Sequence, residues 1–545
     1  MTIHNEQPVT SSVAEVDKGI FWPSLITISI LLISMILFED SAKVVIKSMF
    51  DFITNQLGFV YIWAGALFLG AVAWLSLGKY GDVRLGGPDA RPEFGRMSWI
   101  AMFFCSGIGT SLIYWAAIEW SYYYESPPFG LEAKSQAAAD YSAMYGMFHW
   151  GPIGWAFYCL TAFPIGYAYY NRGNKGLRLS SACAGIIGEK NANGLMGKII
   201  DIMLIFGLLG ATATTLASGT PMLAEAVSRM FGIEHTFGVD VAVVCVWTAI
   251  FITSVVLGLK KGIKVLSDIN LVALLVLCFL IFVGGPTFYM LNQFTDSFGL
   301  MLSEFARMTF YTDPIGKSMF PQWWTIFYWA WWVAYGPYMG IFIARVSKGR
   351  TFREIGLTVT LAGSAGCMLF FMLFGNNMMH AEMNGLFPVM ETIKNESPSA
   401  AILGVMMQMP LEWLLLPLFI FVGFIYTGTT VDSSAYVMST IASKNLQDGQ
   451  EPVVYNRLFW ALMLGATSLV VMNLGGLETV KTASILVGLP LVFLMAMAVL
   501  SLMRWLEEDQ PQLQRASQPV SAAAPSSTTA GASASELAST PVAQV

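Results

Sequence analysis

The sequence predicts an all-α membrane protein of twelve transmembrane helices, and three observations carry that prediction. Of its 545 residues, 55% are hydrophobic and only 12% are charged, too apolar a balance for a soluble chain of this length. Apolar runs able to cross about 30 Å of hydrocarbon recur about twelve times. Those runs are continuous and about twenty residues long, which calls for helices that satisfy their own backbone in lipid and excludes the alternating strands of a barrel.

In order, the spans are expected near 20–40, 58–78, 94–117, 143–170, 196–228, 237–258, 264–291, 321–346, 353–378, 411–441, 457–475 and 479–503. The first follows a mildly acidic tail and lacks a small-residue cleavage site, so it reads as a retained helix and not a signal peptide. The third carries Cys105-Ser-Gly-Ile-Gly-Thr-Ser111, where two glycines predict a break. The fourth carries Trp150-Gly-Pro152, where the backbone is expected to turn, and the eighth carries Tyr335-Gly-Pro-Tyr338, a second predicted break. Breaks five spans apart suggest that spans 3–7 and 8–12 form two five-helix repeats of opposite topology, with a binding site where the helices are interrupted. Residues 1–19 are expected to be a cytoplasmic tail, 20–505 the transporter-like membrane domain, and 506–545, rich in Ala, Ser, Pro, Thr and Gln, a disordered cytoplasmic tail.

The position of positive charge sets the orientation. With the N-terminus inside, the even loops and both tails hold 21 of the 29 Lys and Arg and the odd loops hold 8, so both termini are expected in the cytoplasm of a cell with this chain in its inner membrane. No basic stripe stands apart from that pattern, which argues against nucleic acid as a partner. The six cysteines lie in or beside apolar runs without C-x-x-C spacing and read as structural thiols. No nucleophile–base pair, metal-ligand cluster or nucleotide loop points to an enzyme, and no cofactor is expected.

The chemistry concentrates in the aromatic residues. Between Phe320 and Arg350 one membrane-length segment holds five tryptophans and no acid. Such a segment suits a positive charge that has no N–H to donate, as in a quaternary ammonium held by ring faces. Trp331 and Tyr335 are four apart on one face, and Trp332 lies about 100° round from Trp331. Trp155 and Tyr158 share a face of the fourth span, with Trp150 beside its turn. Glu119, Asp201, Asp268, Asp432 and His149 are polar groups at or within membrane segments and therefore invite functional scrutiny.

The run W-T-I-F-Y-W-A-W-W followed by A-R-V-S-K-G-R-T-F-R-E, with P-P-F-G-L-E (127–132), F-H-W-G (148–151), G-L-K-K-G-I-K-V-L-S-D (258–268) and F-Y-T-D-P-I (310–315), resembles the betaine/choline/carnitine transporter family over roughly residues 15–505. The loops P-P-F-G-L-E and G-E-K-N-A-N-G-L make it most similar to the carnitine/γ-butyrobetaine antiporter branch. That resemblance implies a LeuT-like fold with inverted repeats and a homotrimer. It also implies an aromatic box at Trp150, Trp155, Tyr158, Trp331, Trp332 and Tyr335. Met339 matches a methionine beside the substrate, and Tyr122 an outer-site tyrosine. The carboxylate of a zwitterion is expected against N–H groups near Gly107 and Gly109.

Departures from the antiporter pattern concern coupling. Where the sodium-independent antiporter has an arginine on the seventh span, this chain has Asn270, and Thr429 and Thr430 stand where sodium-coupled relatives have a hydroxyl pair. The resemblance therefore implies a sodium ion as coupling ion, held by Thr429, Thr430 and carbonyls near Cys105, Ile108 and Tyr426. A second sodium is expected at Thr214, Thr215 and Tyr338. Ser111 departs from both the glycine-betaine and the choline forms of its motif and weakens a choline assignment. The expected activity is sodium-coupled uptake of a quaternary-ammonium or sulfonium zwitterion, such as carnitine, glycine betaine, γ-butyrobetaine or dimethylsulfoniopropionate. The alternatives are a sodium-independent substrate/product antiporter of carnitine type and a choline transporter.

Overall fold

A computed structural model of the chain describes residues 15–510 apart from 175, 259–263, 445, 447–449 and 475. Every predicted span is a helix: Lys18–Leu37, Gly58–Leu77, the pair Arg96–Gly107 and Ser111–Glu125, the pair Gln136–His149 and Pro152–Tyr170, Leu195–Phe231, Phe237–Gly258, Lys264–Gly284, Phe327–Val346, Phe352–Phe370 continued to Met383, Glu412–Ile441, Val454–Leu474 and Gly476–Glu508. Among the described residues, eight helices are long and apolar enough to cross a bilayer alone, or nine with the bent third span counted. The fourth, eighth and eleventh are not among them, and in the fourth and eighth Trp, Tyr, Gly and Pro replace aliphatics. These two have no need of greasy surfaces: all residues of Phe327–Val346 and all but the last two of Ile153–Tyr170 are buried inside the bundle.

Two long helices lie outside the expected set, Glu39–Gln56 and Thr287–Thr309. Both are amphipathic and broken into short apolar stretches, so a search for continuous runs passes over them. The seventh span consequently ends at Gly284 instead of near 291. The tails are also shorter than expected. Glu15–Val16 pairs antiparallel with Ser443–Lys444, and Asp17 caps the first span at Gly19 N and meets Lys198 at 3.3 Å. At the other end the last helix runs to Glu508, with Tyr167 donating to Asp509 at 2.6 Å and Arg172 to Glu508 at 2.8 Å. The remainder of the C-terminal tail, with Lys175, Lys260 and Lys261 of the inner loops, lies outside the described residues.

The eighth span is not broken at Gly336-Pro337. The helix continues through Pro337, and the two glycines serve close approach. A β-carbon at Gly340 would lie 2.3 Å from Thr161 Oγ1 of the fourth span, and that same hydroxyl donates to the Gly336 carbonyl at 2.8 Å. Small residues four apart let the two helices meet backbone to side chain, and the hydroxyl satisfies a carbonyl at the proline turn.

One polar cluster sits in the turn between the fifth and sixth spans. His235 joins Glu225 at 3.0 Å through Nδ1 and Asp240 at 3.0 Å through Nε2. The bond to Asp240, then that to Glu225, raises its pKa from 6.5 to about 9. A group whose folded pKa is raised contributes stability that is whole below about pH 6.5 and is lost as pH rises through about 9. Between about pH 7 and about pH 9.5 the melting temperature is expected to fall by about 2 °C more in the wild type than in His235→Ala. Parallel melting profiles would remove His235 as the cause.

Candidate functional site

The third span supplies the break. Its first half ends at Gly107, Gly109 takes φ +64°, and the second half begins at Ser111 after a 62° bend. Ending a helix frees its last carbonyls, and at four consecutive residues a hydroxyl takes each one. Thr430 Oγ1 donates to Cys105 O at 3.5 Å, Tyr338 to Ser106 O at 3.1 Å, Tyr158 to Gly107 O at 3.0 Å and Ser111 Oγ to Ile108 O at 2.7 Å. The tenth, eighth and fourth spans are thereby tied to one turn.

Against that turn lies a cavity of about 10 Å³ lined by Gly107, Ile108, Ser111, Trp150, Tyr158, Thr215, Trp331, Trp332 and Tyr335. The fourth span turns at Gly151, which is extended, and so presents Trp150 between its two helical halves. Ring centroids stand 4.6 Å apart for Tyr158–Trp332, 5.6 Å for Trp150–Trp331 and 5.8 Å for Trp150–Trp332. Each polar edge is tethered to the wall. Trp150 Nε1 donates to Glu119 Oε2 at 3.1 Å, Trp331 Nε1 to Ala211 O at 3.3 Å and Trp332 Nε1 to His149 O at 3.1 Å, while the Tyr335 and Thr215 hydroxyls meet at 2.9 Å. The indole faces are what remains to meet a guest. A void of this size holds about one water, so the rings must part to admit anything larger.

Five of the six expected box residues thus surround one cavity. Trp155 lies behind it, stacked on Phe104 at 5.9 Å and 6° and donating to Cys367 Sγ at 3.4 Å. It occupies space left by Gly363, where a β-carbon would come within 2.2 Å of the ring. Met339 packs beside Gly107, its Cε 3.0 Å from the position of an added β-carbon. Tyr122 stands apart, paired with Trp324 at 5.6 Å. The expected anion site needs correction too. Gly107 ends its half-helix and presents a carbonyl, the negative end, whereas the positive end begins at Ser111.

Of the expected sodium ligands, Thr430 Oγ1 lies 3.1 Å from Tyr426 O as well as near Cys105 O, and Thr429 Oγ1 lies 2.9 Å from Tyr426 O. Hydroxyl and carbonyl oxygens of this kind suit a hard cation. Ile108 O instead faces the hydroxyl of Ser111. Asn270 is fully buried beside Cys105, its Nδ2 3.8 Å from the sulfur, and its Oδ1 has no hydrogen-bond partner among the described residues. The second sodium set is not assembled. Thr214 turns to Ser484 at 3.2 Å, Thr215 to Tyr335, and Tyr338 to Ser106 O, because neighbours on a helix point about 100° apart. Asp432, adjacent in sequence to the ion set, instead accepts from Ser254 of the sixth span.

The sequence profile described as BCCT, betaine/carnitine/choline family transporter, matches residues 19–511. The chain belongs to the betaine/carnitine/choline transporter family. Among solved structures it is similar to a sodium-coupled sialic acid symporter in a substrate-bound outward-open state. That likeness has 13% identity, covers 82% of this chain and 87% of that one, and has a TM-score of 0.42.

As a BCCT protein the molecule is a multi-pass membrane transporter and not an enzyme. Its described helices follow the order of the twelve expected spans. The third and fourth spans are interrupted among the described residues, whereas the eighth runs on through Gly336-Pro337, so the expected pair of matched breaks in spans 3 and 8 is absent. Residue patterns singled out Glu119 and His149 but not their contacts with the box. Glu119 meets Trp150 across 31 residues and Tyr328 across 209, separations at which spacing carries no signal. The one available clue is a carboxylate in a membrane span.

Proposed function

We propose that this transporter takes up a quaternary-ammonium or sulfonium zwitterion together with sodium. The guest's cation would sit among Trp150, Tyr158, Trp331, Trp332 and Tyr335, and its carboxylate would face the N-terminal turn beginning at Ser111. Each desolvated ring contributes about 0.5–2 kcal/mol to such a cation, enough in sum for micromolar to millimolar affinity after ordering costs. Sodium would bind at Thr429, Thr430 and the carbonyls of Cys105 and Tyr426. The observation that carries the reading is the shared turn: Cys105 presents its carbonyl to Thr430 while Gly107 and Ile108, two and three residues on, line the aromatic cavity. A cation bound on one side would set the shape of the other. Neutral Asn270 beside Cys105 leaves no fixed positive charge to replace the ion. The distribution of Lys and Arg supports cytoplasmic termini in a bacterial inner membrane.

Uptake of carnitine or glycine betaine into proteoliposomes is expected to fall at least about tenfold when potassium replaces sodium, consistent with a coupling free energy of ordinary size. Unchanged uptake in potassium would instead favour sodium-independent exchange of the carnitine type. Met339 beside Gly107 is the observation on that side.

A further inference from the structure

Behind Trp150 lies a buried pair that neither lines the cavity nor belongs to the ion set. Glu119 and His149 are both fully buried. The carboxylate accepts from Tyr123 OH, from Tyr328 OH at 2.7 Å and from Trp150 Nε1 at 3.1 Å. Three donors on two oxygens describe an ionised acceptor. His149 Nδ1 stands 3.5 Å from the same carboxylate and 2.8 Å from the Tyr123 oxygen, and Nε2 stands 3.1 Å from Thr325 Oγ1. Tyr123 spends its proton on Glu119, so Nδ1 must carry the hydrogen given to Tyr123. Nε2 is then the open position. It accepts from the Thr325 hydroxyl when the ring is neutral and donates to it after taking a proton, with only a rotation of that hydroxyl.

We infer that Glu119 and His149 form a proton-binding pair that positions the box and competes with the guest cation, an inference that rests on the aromatic-box reading above. With His149 neutral the carboxylate is an unbalanced negative charge one indole away from the cavity. Its hold on the Trp150 N–H fixes that ring and enriches its face, both of which favour a cation. A proton on Nε2 balances the charge and withdraws that attraction. His149 also holds the other side of the box through its carbonyl, which accepts Trp332 Nε1. The groups facing the pair are tyrosines from each packed element: Tyr123 on the third span, Tyr145 on the fourth with its ring 5.3 Å from His149, and Tyr328 on the eighth, stacked on the imidazole at 4.7 Å. By linkage, proton and guest each weaken the other's binding by the same factor.

The test is equilibrium binding of carnitine and glycine betaine to the full-length protein in nanodiscs at saturating sodium, from about pH 4.5 to about pH 8.5, the histidine range with a margin on the acid side. Wild-type Kd is expected to rise at least about fivefold toward acid. Glu119→Gln, which keeps the shape but not the charge, should weaken binding at the alkaline end and flatten the profile. His149→Gln should flatten it while leaving Glu119 ionised. A purely structural role would not move the pH profile. Wild type that binds either ligand with a flat profile, or a Glu119→Gln protein with wild-type Kd and profile, overturns the proposal alone. Should Glu119→Gln fail to fold, the wild-type profile and His149→Gln still decide. Wild type that binds neither ligand at any pH overturns the box reading and this pair with it.

Discussion

Replacing Trp332 by leucine is expected to raise the dissociation constant for a quaternary-ammonium guest by about ten- to thirtyfold, the equivalent of about 1.4–2 kcal/mol of lost cation–π attraction. The ring is 3% exposed, lies closest of the box tryptophans to Tyr158, and donates to the His149 carbonyl. Its position is enforced, since Gly154 is the only residue type that leaves room: a β-carbon there would fall 2.5 Å from Trp332 Cε2. Leucine removes the π face, the tether and part of the packing together, so expression and thermal stability must be measured beside affinity. Trp332→Phe keeps a face without the tether and should fall between the two. A leucine variant with normal expression and normal affinity would place the guest elsewhere.

Gly109→Ala should abolish most sodium-dependent transport. At φ +64° an L-residue costs about 1–2 kcal/mol, and an added β-carbon would stand 2.7 Å from Thr430 Oγ1 and 3.0 Å from Thr215 Cγ2. The methyl would wedge between a proposed ion ligand and a wall of the cavity, so half-saturation by sodium is expected to rise at least about tenfold. Gly232→Ala supplies the control, because Gly232 has φ +65° with nothing within 4 Å of the added carbon. It carries the backbone strain without the collision. If both variants transport alike with unchanged sodium dependence, crowding at Thr430 has no part in coupling.

The helices were legible because a bilayer demands long apolar runs, and such runs stand out in any sequence. Glu39–Gln56 and Thr287–Thr309 were less so, since an amphipathic helix mixes polar and apolar residues at short range. The Gly-Pro of the eighth span shows where local reading fails. Its surroundings include Thr161, 175 residues away, whose hydroxyl donates to the Gly336 carbonyl and which Gly340 leaves room to approach. Trp155 fails differently. Spacing gave it the same face as Tyr158, but depth is decided by Gly363 and Phe104 on other spans. The Glu119 linkages belong to the same class of information, created only when distant segments meet.

The enclosure of the fourth and eighth helices bears on how the chain is made. A segment rich in indole, phenol and glycine partitions into hydrocarbon less readily than one of leucine and isoleucine, and these two gain their burial from sister helices. During synthesis the eighth emerges before the twelfth, against which it packs extensively. Its residence in the bilayer therefore depends on partners not yet translated. Biogenesis of this carrier is thus expected to be cooperative, with late helices rescuing earlier ones, and chains cut short near residue 350 should be preferred targets of membrane proteolysis.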